Sequence, residues 1–546
     1  MKYVHRLTES EAKADPRSAE PDGSRRGSSA RVGLMTGVLS VLLMSVGGCA
    51  MVGPDYVRPE APLAAEWIAQ EDDALTTDAG EIRDWWKLFS DPKLNALIEE
   101  AYTQNLSLEI AGARVIEAVA RRGISVGNLY PQIQESNGTY ARVENGKNRA
   151  NQGGLERRTF DDWTVGFDAA WELDVWGRFR RGIEAADADL LASVASYDDV
   201  LVSLVAEVAS NYLQFRIAQE RLLAARANIV IQQRSLQITE AKFRNGMVTE
   251  LDAAQANSLL RNTEAAVPAF EARLRQTQNS LSVLLGTPPR DLGDLLAGPP
   301  VIPSAPEKIA LGLPADLLRR RPDVRQAERD LAAQSARIGI ANSDFYPHLA
   351  LVGSISLGAD DFTDVFDAAS FEGFGGPSFG WAILNYGRIR NNVRVQDAGF
   401  QRRVLVYEST VLRAQEEAEN AIAAYLGTRR QIGLLDQSVA SAKRAVHLVN
   451  IQYREGAIDY VRVLNAQQFL VDQQDLLAST RGQAMLSLVS LYKALGGGWE
   501  LREGKPFLRT ETVEQMNSRT NWGDLLHSPH VNEEATGAPG WQWPVW

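Results

Sequence analysis

Apolar and polar residues alternate with period two from Thr164 to Trp176. Val165, Phe167, Ala169, Trp171, Leu173 and Val175 fall on one face, and Thr164, Asp168, Glu172 and Asp174 on the other. Alternation sustained over this length predicts a strand suited to crossing a bilayer. Leu349, Leu351, Ile355 and Leu357 alternate in the same way with Ala350, Ser354 and Ser356. A further strand is expected near Gln132 to Val143, where the alternation is poor.

Helical spacing fills most of the remainder. Leu94 to about Gly127 is Ala-rich without Pro, and predicts one helix. From about Gly182 to Arg244, Leu201, Leu204, Val205, Val208, Tyr212 and Phe215 keep helical spacing. At about 1.5 Å per residue this helix would reach roughly 90 Å. Such length without a core of its own predicts a coiled-coil-like assembly, with faces such as Leu204, Val208 and Tyr212 hidden between neighbouring chains. Residues 249–285 form the next helix, with a kink expected at Pro268. The same plan returns at about 322–344, 388–454 and 459–495. Asn245-Gly246 and Glu455-Gly456 interrupt the long helices, where Gly supplies the left-handed residue that ends a helix. Thr249, with Asp252 three residues on, and Asp459 are the capping candidates behind these turns.

The repetition is explicit in the residues. Trp171 to Arg180 returns as Trp381 to Arg390, keeping Trp, Gly and both Arg in place. Leu129-Tyr130-Pro131 precedes the first copy and Phe345-Tyr346-Pro347 the second. Phe243-Arg244-Asn245-Gly246 is matched by Tyr453-Arg454-Glu455-Gly456, and Leu285-Gly286 by Leu495-Gly496. Four markers in one order are a duplication. Pro131 to Trp171 is a longer span than Pro347 to Trp381, so an insertion is expected in an exposed loop between the first two strands. The chain then divides into a leader (1–48), a tether (49–92), a first repeat (93–286), a Pro-rich linker (287–321), a second repeat (322–497) and a tail (498–546).

Composition narrows the function. The net charge is −12, with five His and one Cys. Neither a basic nucleic-acid surface nor a Cys/His metal site is expected, and no cofactor is called for. No Gly-rich phosphate loop, zinc-binding helix or nucleophile elbow stands in a fitting context, so an enzyme is not expected. The single Cys is placed with purpose. Arg25, Arg26 and Arg31 precede the uncharged run Val32–Ala50, which ends in Gly47-Gly48-Cys49-Ala50. A basic flank, a short apolar core and small residues before a cleavage point make a secretory signal.

Together these residues resemble the outer membrane efflux protein family, the TolC-like channels, and within it the lipoprotein branch of RND-type outer membrane factors (NodT-like). The resemblance is carried by Cys49, Val52-Gly53-Pro54-Asp55-Tyr56, Trp85-Trp86, the Tyr-Pro pairs, both Trp…Gly-Arg stretches, both Gly-containing tips and Ala494-Leu495-Gly496-Gly497-Gly498-Trp499. It implies a mainly α fold with a small transmembrane β part: duplicated long-helix hairpins forming a trimeric α-barrel, and four strands per chain in a shared 12-stranded β-barrel. It implies an exit duct for small molecules, working with a periplasmic adaptor and an inner-membrane transporter of RND type. It implies a covalent lipid on Cys49, with Ala50 favouring outer-membrane delivery. On this reading Phe243, Gly246, Tyr453 and Gly456 are the adaptor-contact tips, and Asp168, Glu172 and Asp174 face the barrel lumen. Four strands cannot close around a passage, so several chains must share the barrel; eight strands from two chains usually pack solid, which moderately favours three, and the resemblance settles on three. The competing reading is a pore-free coiled-coil periplasmic lipoprotein or adaptor, against which the alternating strands argue.

Overall fold

The computed structural model describes residues 51–76, 82–146, 158–306 and 308–527. Two helices open the first repeat, α1 (Pro92–Gln104) and α2 (Leu106–Gly127). The sequence predicted one helix here. The break is made by Asn105, whose side-chain oxygen accepts from Leu108 N at 2.9 Å and whose amide donates to Leu284 O at 2.9 Å. A buried side chain that bonds both ways can end one helix and begin another without Gly or Pro.

Strands β1 (Ile133–Glu144) and β2 (Thr159–Glu172) follow, then α3 (Arg178–Arg244) and α4 (Glu250–Leu284). The second repeat gives α5 (Pro322–Ser343), β3 (His348–Ala359), β4 (Phe371–Gly380), α6 (Arg388–Arg454) and α7 (Tyr460–Ala494). The duplication is visible in lengths: α3 and α6 each have 67 residues, and α4 and α7 each have 35. At 1.5 Å per residue the longer pair runs about 100 Å. Helix α4 continues through Pro268. The longer connection of the first repeat lies between β1 and β2, largely outside the described residues. Its counterpart between β3 and β4 holds two short turns of 3-10 helix.

All four strands form one antiparallel sheet in the order β1-β2-β3-β4. The central pairing joins the two repeats, with Phe167 opposite Ile355 and Trp171 opposite Leu351. Among the described residues the outer edges of β1 and β4 pair with no further strand.

The main core lies where α1, α2, the middle of α3 and α6 and the C-terminal end of α7 meet. Trp85, Leu94, Leu201, Val208, Tyr212, Tyr407, Ile422, Tyr425, Leu488 and Tyr492 are buried there. Trp85 stacks on Tyr492 with ring centroids 5.4 Å apart. The Gly497 backbone lies so close that a Cβ there would meet Ile82 Cγ2 at 2.4 Å, which accounts for the small residues after Leu495. Leu204, Val208 and Tyr212, expected between neighbouring chains, are instead buried within this one. Each is covered because α3 is packed by α2, α5 and α7 of its own chain.

The Pro-rich linker is mostly irregular, and Leu292, Leu296, Ile302, Ile309, Leu311 and Leu317 of it join the main core. Ile309–Ala310 pairs in parallel with Leu75–Thr76 of the tether. The tail is tied to the first repeat as far as it is described. Phe507 packs edge-on to Tyr197 at 5.1 Å, and Arg509 Nε donates to Glu109 at 3.0 Å. Arg502 and Arg325 both pair with the fully buried Asp198 and both lie over the Trp499 ring. A short helix, α8 (Thr510–Arg519), follows.

Candidate functional site

The sheet has two chemically distinct faces. Following the register, one face carries Val165, Phe167, Trp171, Leu349, Leu351, Ile355, Leu357, Phe371 and Phe379. Most of these large apolar side chains are exposed in the single chain; Phe379 is 73% exposed and Phe371 61%. The other face carries Glu135, Asn137, Thr164, Asp168, Glu172, Ser354, Ser356, Glu372 and Ser378. Ile133, Val143, Phe160, Val352 and Phe374 are apolar exceptions on that side, and Gln134, Ser136, Arg142 and Asp161 are polar ones on the first. Aromatic side chains gather at both ends of the apolar face. Trp163 lies against Tyr140 at 4.2 Å and Phe362 at 5.1 Å, while at the helix end Trp176 stacks on Tyr346 at 4.6 Å.

Asp168 and Glu172 sit on the acidic face. Asp168 stands directly opposite Glu135 and accepts from the Asn137 amide. Glu172 is 2.9 Å from His348 Nδ1 and 3.8 Å from Arg178. Asp174 is elsewhere. The strand predicted through Trp176 stops at Glu172, and the Asp174 carboxylate turns onto the start of α3. It accepts from Phe179 N at 2.9 Å and Arg180 N at 3.1 Å, and binds Arg180 Nε at 2.8 Å. The free N–H groups of a first helical turn attract a carboxylate, and here they draw Asp174 off the sheet's period.

The helical tips are turns around Gly246 (φ 68°) and Gly456 (φ 78°), and a Cβ at either would meet nothing within 4 Å. Thr249 N donates to Asp252 Oδ2 at 3.0 Å behind the first turn. Phe243 is 42% exposed beside it. Tyr453, the matching aromatic of the second tip, is not on the surface: only 4% is exposed. Its hydroxyl donates to Thr239 Oγ1 at 3.3 Å, its ring lies edge-on to Tyr460, and Lys242 Nζ sits 4.4 Å above it. Lys242 also donates to the Tyr453 carbonyl. Tyr453 thus clamps one tip to the other within the chain.

The sequence reading missed the polar stripe above this clamp. Asn228, Gln232, Ser235 and Thr239 lie at helical spacing on α3 and are buried. Gln232 has neither amide atom satisfied by a protein partner. The signal was available, since a helix that reads Leu201, Leu204, Val208 early turns to Asn, Gln, Ser and Thr at the same inward positions.

Cys49 lies outside the described residues. The chain is described from Met51, and the next residues are held against the junction of sheet and helices. Val52 N donates to Trp176 O at 3.0 Å. Arg181 of α3 donates to Val52 O and Gly53 O, each at 3.3 Å, and to Asp55 Oδ1 at 2.8 Å. The tether continues along α6, with Ala64 N on Gln415 Oε1 at 2.7 Å and Ile68 N on Glu419 Oε1 at 2.9 Å. Arg181 had one sequence signal: it breaks the repeat, Asn391 standing at the equivalent place.

This architecture has known counterparts. A family model described as outer membrane efflux protein matches residues 97–287 and 313–497. Nodulation protein T of Rhizobium leguminosarum bv. trifolii is 31% identical over 462 residues, 84% of this chain and 96% of that protein. The pyoverdine export outer membrane protein OpmQ of Pseudomonas putida is 32% identical over 464 residues, again 84% and 96%. Of solved structures, the outer-membrane channel OprN is 32% identical with a TM-score of 0.77, covering 83% of this chain and 100% of that one. CusC is 26% identical with a TM-score of 0.70, covering 82% and 100%. Matched over both repeats in sequence and over most of its length in fold, the chain belongs to the outer membrane efflux protein family, as a TolC-like channel protein.

Proposed function

We propose that this chain is one third of an export duct, in which three copies join their sheets into a twelve-stranded barrel and their helices into a hollow periplasmic cylinder. The observation that carries the reading is the sheet: one mainly apolar face, one mainly polar and acidic face, and two edges that find no further strand among the described residues. Backbone groups cannot be left unpaired in hydrocarbon, so the edges of β1 and β4 must find strands on other chains. Two copies give eight strands, which fill with side chains, whereas three leave room for a passage. The exposed Val395, Leu405, Val406, Leu412 and Leu434 of α6 supply apolar surface for the same neighbours.

In this reading the apolar face meets lipid, Asp168 and Glu172 line the lumen, and Cys49 carries the acyl anchor. The tips at Gly246 and Gly456, with Phe243, meet a periplasmic adaptor that links the duct to an energised inner-membrane transporter. Transport is passive, small molecules moving from periplasm to exterior, and no catalytic step is part of it. Chemical cross-linking in mild detergent tests the assembly. The ladder is expected to stop at three, and purified protein to conduct ions in planar bilayers. A monomer or dimer that conducts would defeat the shared barrel, and a trimer without conductance would favour the pore-free lipoprotein.

A further inference from the structure

The segment Val52-Gly53-Pro54-Asp55-Tyr56 carries part of the family resemblance, yet export as such gives it no task. What holds it is a built slot. Arg181 is 1% exposed, and its guanidinium spends its donors on Val52 O, Gly53 O, Asp55 and Glu184. The opposite wall is α5 of the second repeat. A Cβ at Gly53 (φ 93°) would lie 2.4 Å from Gly339 Cα, and a Cβ at Gly339 would lie 2.9 Å from Arg181 Cδ. At the end of the slot a Cβ at Gly177 would lie 2.6 Å from Met51 Cγ. The slot therefore admits bare backbone at position 53. Emptied of its occupant, it would leave a buried guanidinium short of acceptors, which is strongly unfavourable.

Its location matters as much as its fit. Trp176, which accepts the Val52 amide on its carbonyl, stacks on Tyr346 where the strands pass into the helices. Aromatic side chains of this kind sit at membrane interfaces. Cys49 stands two positions before Met51, a reach of at most about 7 Å.

We infer that the slot docks the chain's own lipidated N-terminus and holds the acyl anchor at the sheet–helix junction, with Arg181 as its positioning residue. This rests on the reading of Cys49 as lipidated. Simple attachment to a membrane needs only a loose leash. A buried cation gripping two carbonyls and a carboxylate, with glycine contacts on two sides, does more: it sets the height of each sheet relative to the leaflet that holds the acyl chains. Three chains gauged in this way present their sheet edges at one level.

Three variants of the full-length protein test it, read by hydrogen exchange over 52–56, by palmitate labelling and by the fraction assembled in the outer membrane. Gly53→Val acts on the segment and leaves the helices untouched; Arg181→Met removes the guanidinium, with Arg181→Lys as the conservative control. Both Gly53→Val and Arg181→Met are expected to speed exchange of 52–56 at least about tenfold with labelling intact and assembly reduced, Arg181→Lys recovering part. A flexible Gly-Ser insertion between Ala50 and Met51 is expected to keep wild-type protection but assemble as poorly as Gly53→Val. Unchanged protection in Gly53→Val overturns the slot, and wild-type assembly of the insertion variant overturns the gauge. A wild-type chain without palmitate overturns the lipidation reading and the anchoring role with it, a result distinguishable because exchange would still respond to Gly53→Val.

Discussion

Three acidic residues that share one period in the sequence separate into two roles once their contacts are known. Replacing Asp168 and Glu172 by their amides is expected to lower cation preference in a reversal-potential measurement, because both lie on the face assigned to the lumen. Asp174→Asn is expected to leave that preference alone and to cost about 1 kcal/mol of stability, the usual value of a lost helix cap. The two tip aromatics separate in the same manner. Phe243→Ala removes an exposed ring, so its thermal stability should stay within about 0.5 kcal/mol while export falls. Tyr453→Ala empties a buried site beneath Lys242 and should cost about 3–5 kcal/mol in a melting experiment before any effect on export is read. Gln232→Leu runs the other way: removing a buried amide without protein partners should raise stability by about 1–2 kcal/mol. Periodicity could not make these distinctions. It reports which side of a strand or helix a residue occupies, whereas Asp174 and Tyr453 are placed by a helix terminus and by a second tip brought alongside.

At the level of elements, the longest features were the most legible. Residues 388–454 were expected as one helix and are one, because dozens of positions vote on a helical period and one end is marked by Gly. The helix break at Asn105 was not legible, since its partner Leu284 is distant in sequence and nothing local distinguishes this Asn from one facing solvent. Asn105→Ala should cost about 1–2 kcal/mol in chemical denaturation, losing a cap and stranding the Leu284 carbonyl. The burial of the linker was not legible for a related reason. Its prolines limit regular structure to short pieces such as Ile309–Ala310, but they do not exclude burial, and Ile309 and Leu311 are as interior as the helical core. The glycine tips were read correctly as turns. Gly246→Trp combined with Gly456→Trp meets open space, so the fold should persist at a small cost for the left-handed backbone, while drug resistance conferred by the pump should disappear. Full resistance in that double variant would remove the tips from the adaptor contact.

For the whole molecule, the duplication visible in the sequence announced two similar halves but not how they are joined. Each half contributes a hairpin, and the sheet exists only through the pairing of β2 with β3, whose partners run from Trp163 with Ala359 to Glu172 with Ala350. A two-stranded hairpin alone is marginal in water. Contacts so far apart in sequence also form slowly, because the intervening chain must close first. The order of synthesis then becomes a safeguard. While the first half is being exported it has no complete apolar sheet to offer any bilayer, and the surface that could insert arises only after the second half has followed. A chain truncated after residue 320 should accordingly be helical by circular dichroism yet fail to partition into lipid vesicles. What equips the molecule for the outer membrane is withheld, by the topology of a single strand pairing, until it has passed through the inner one.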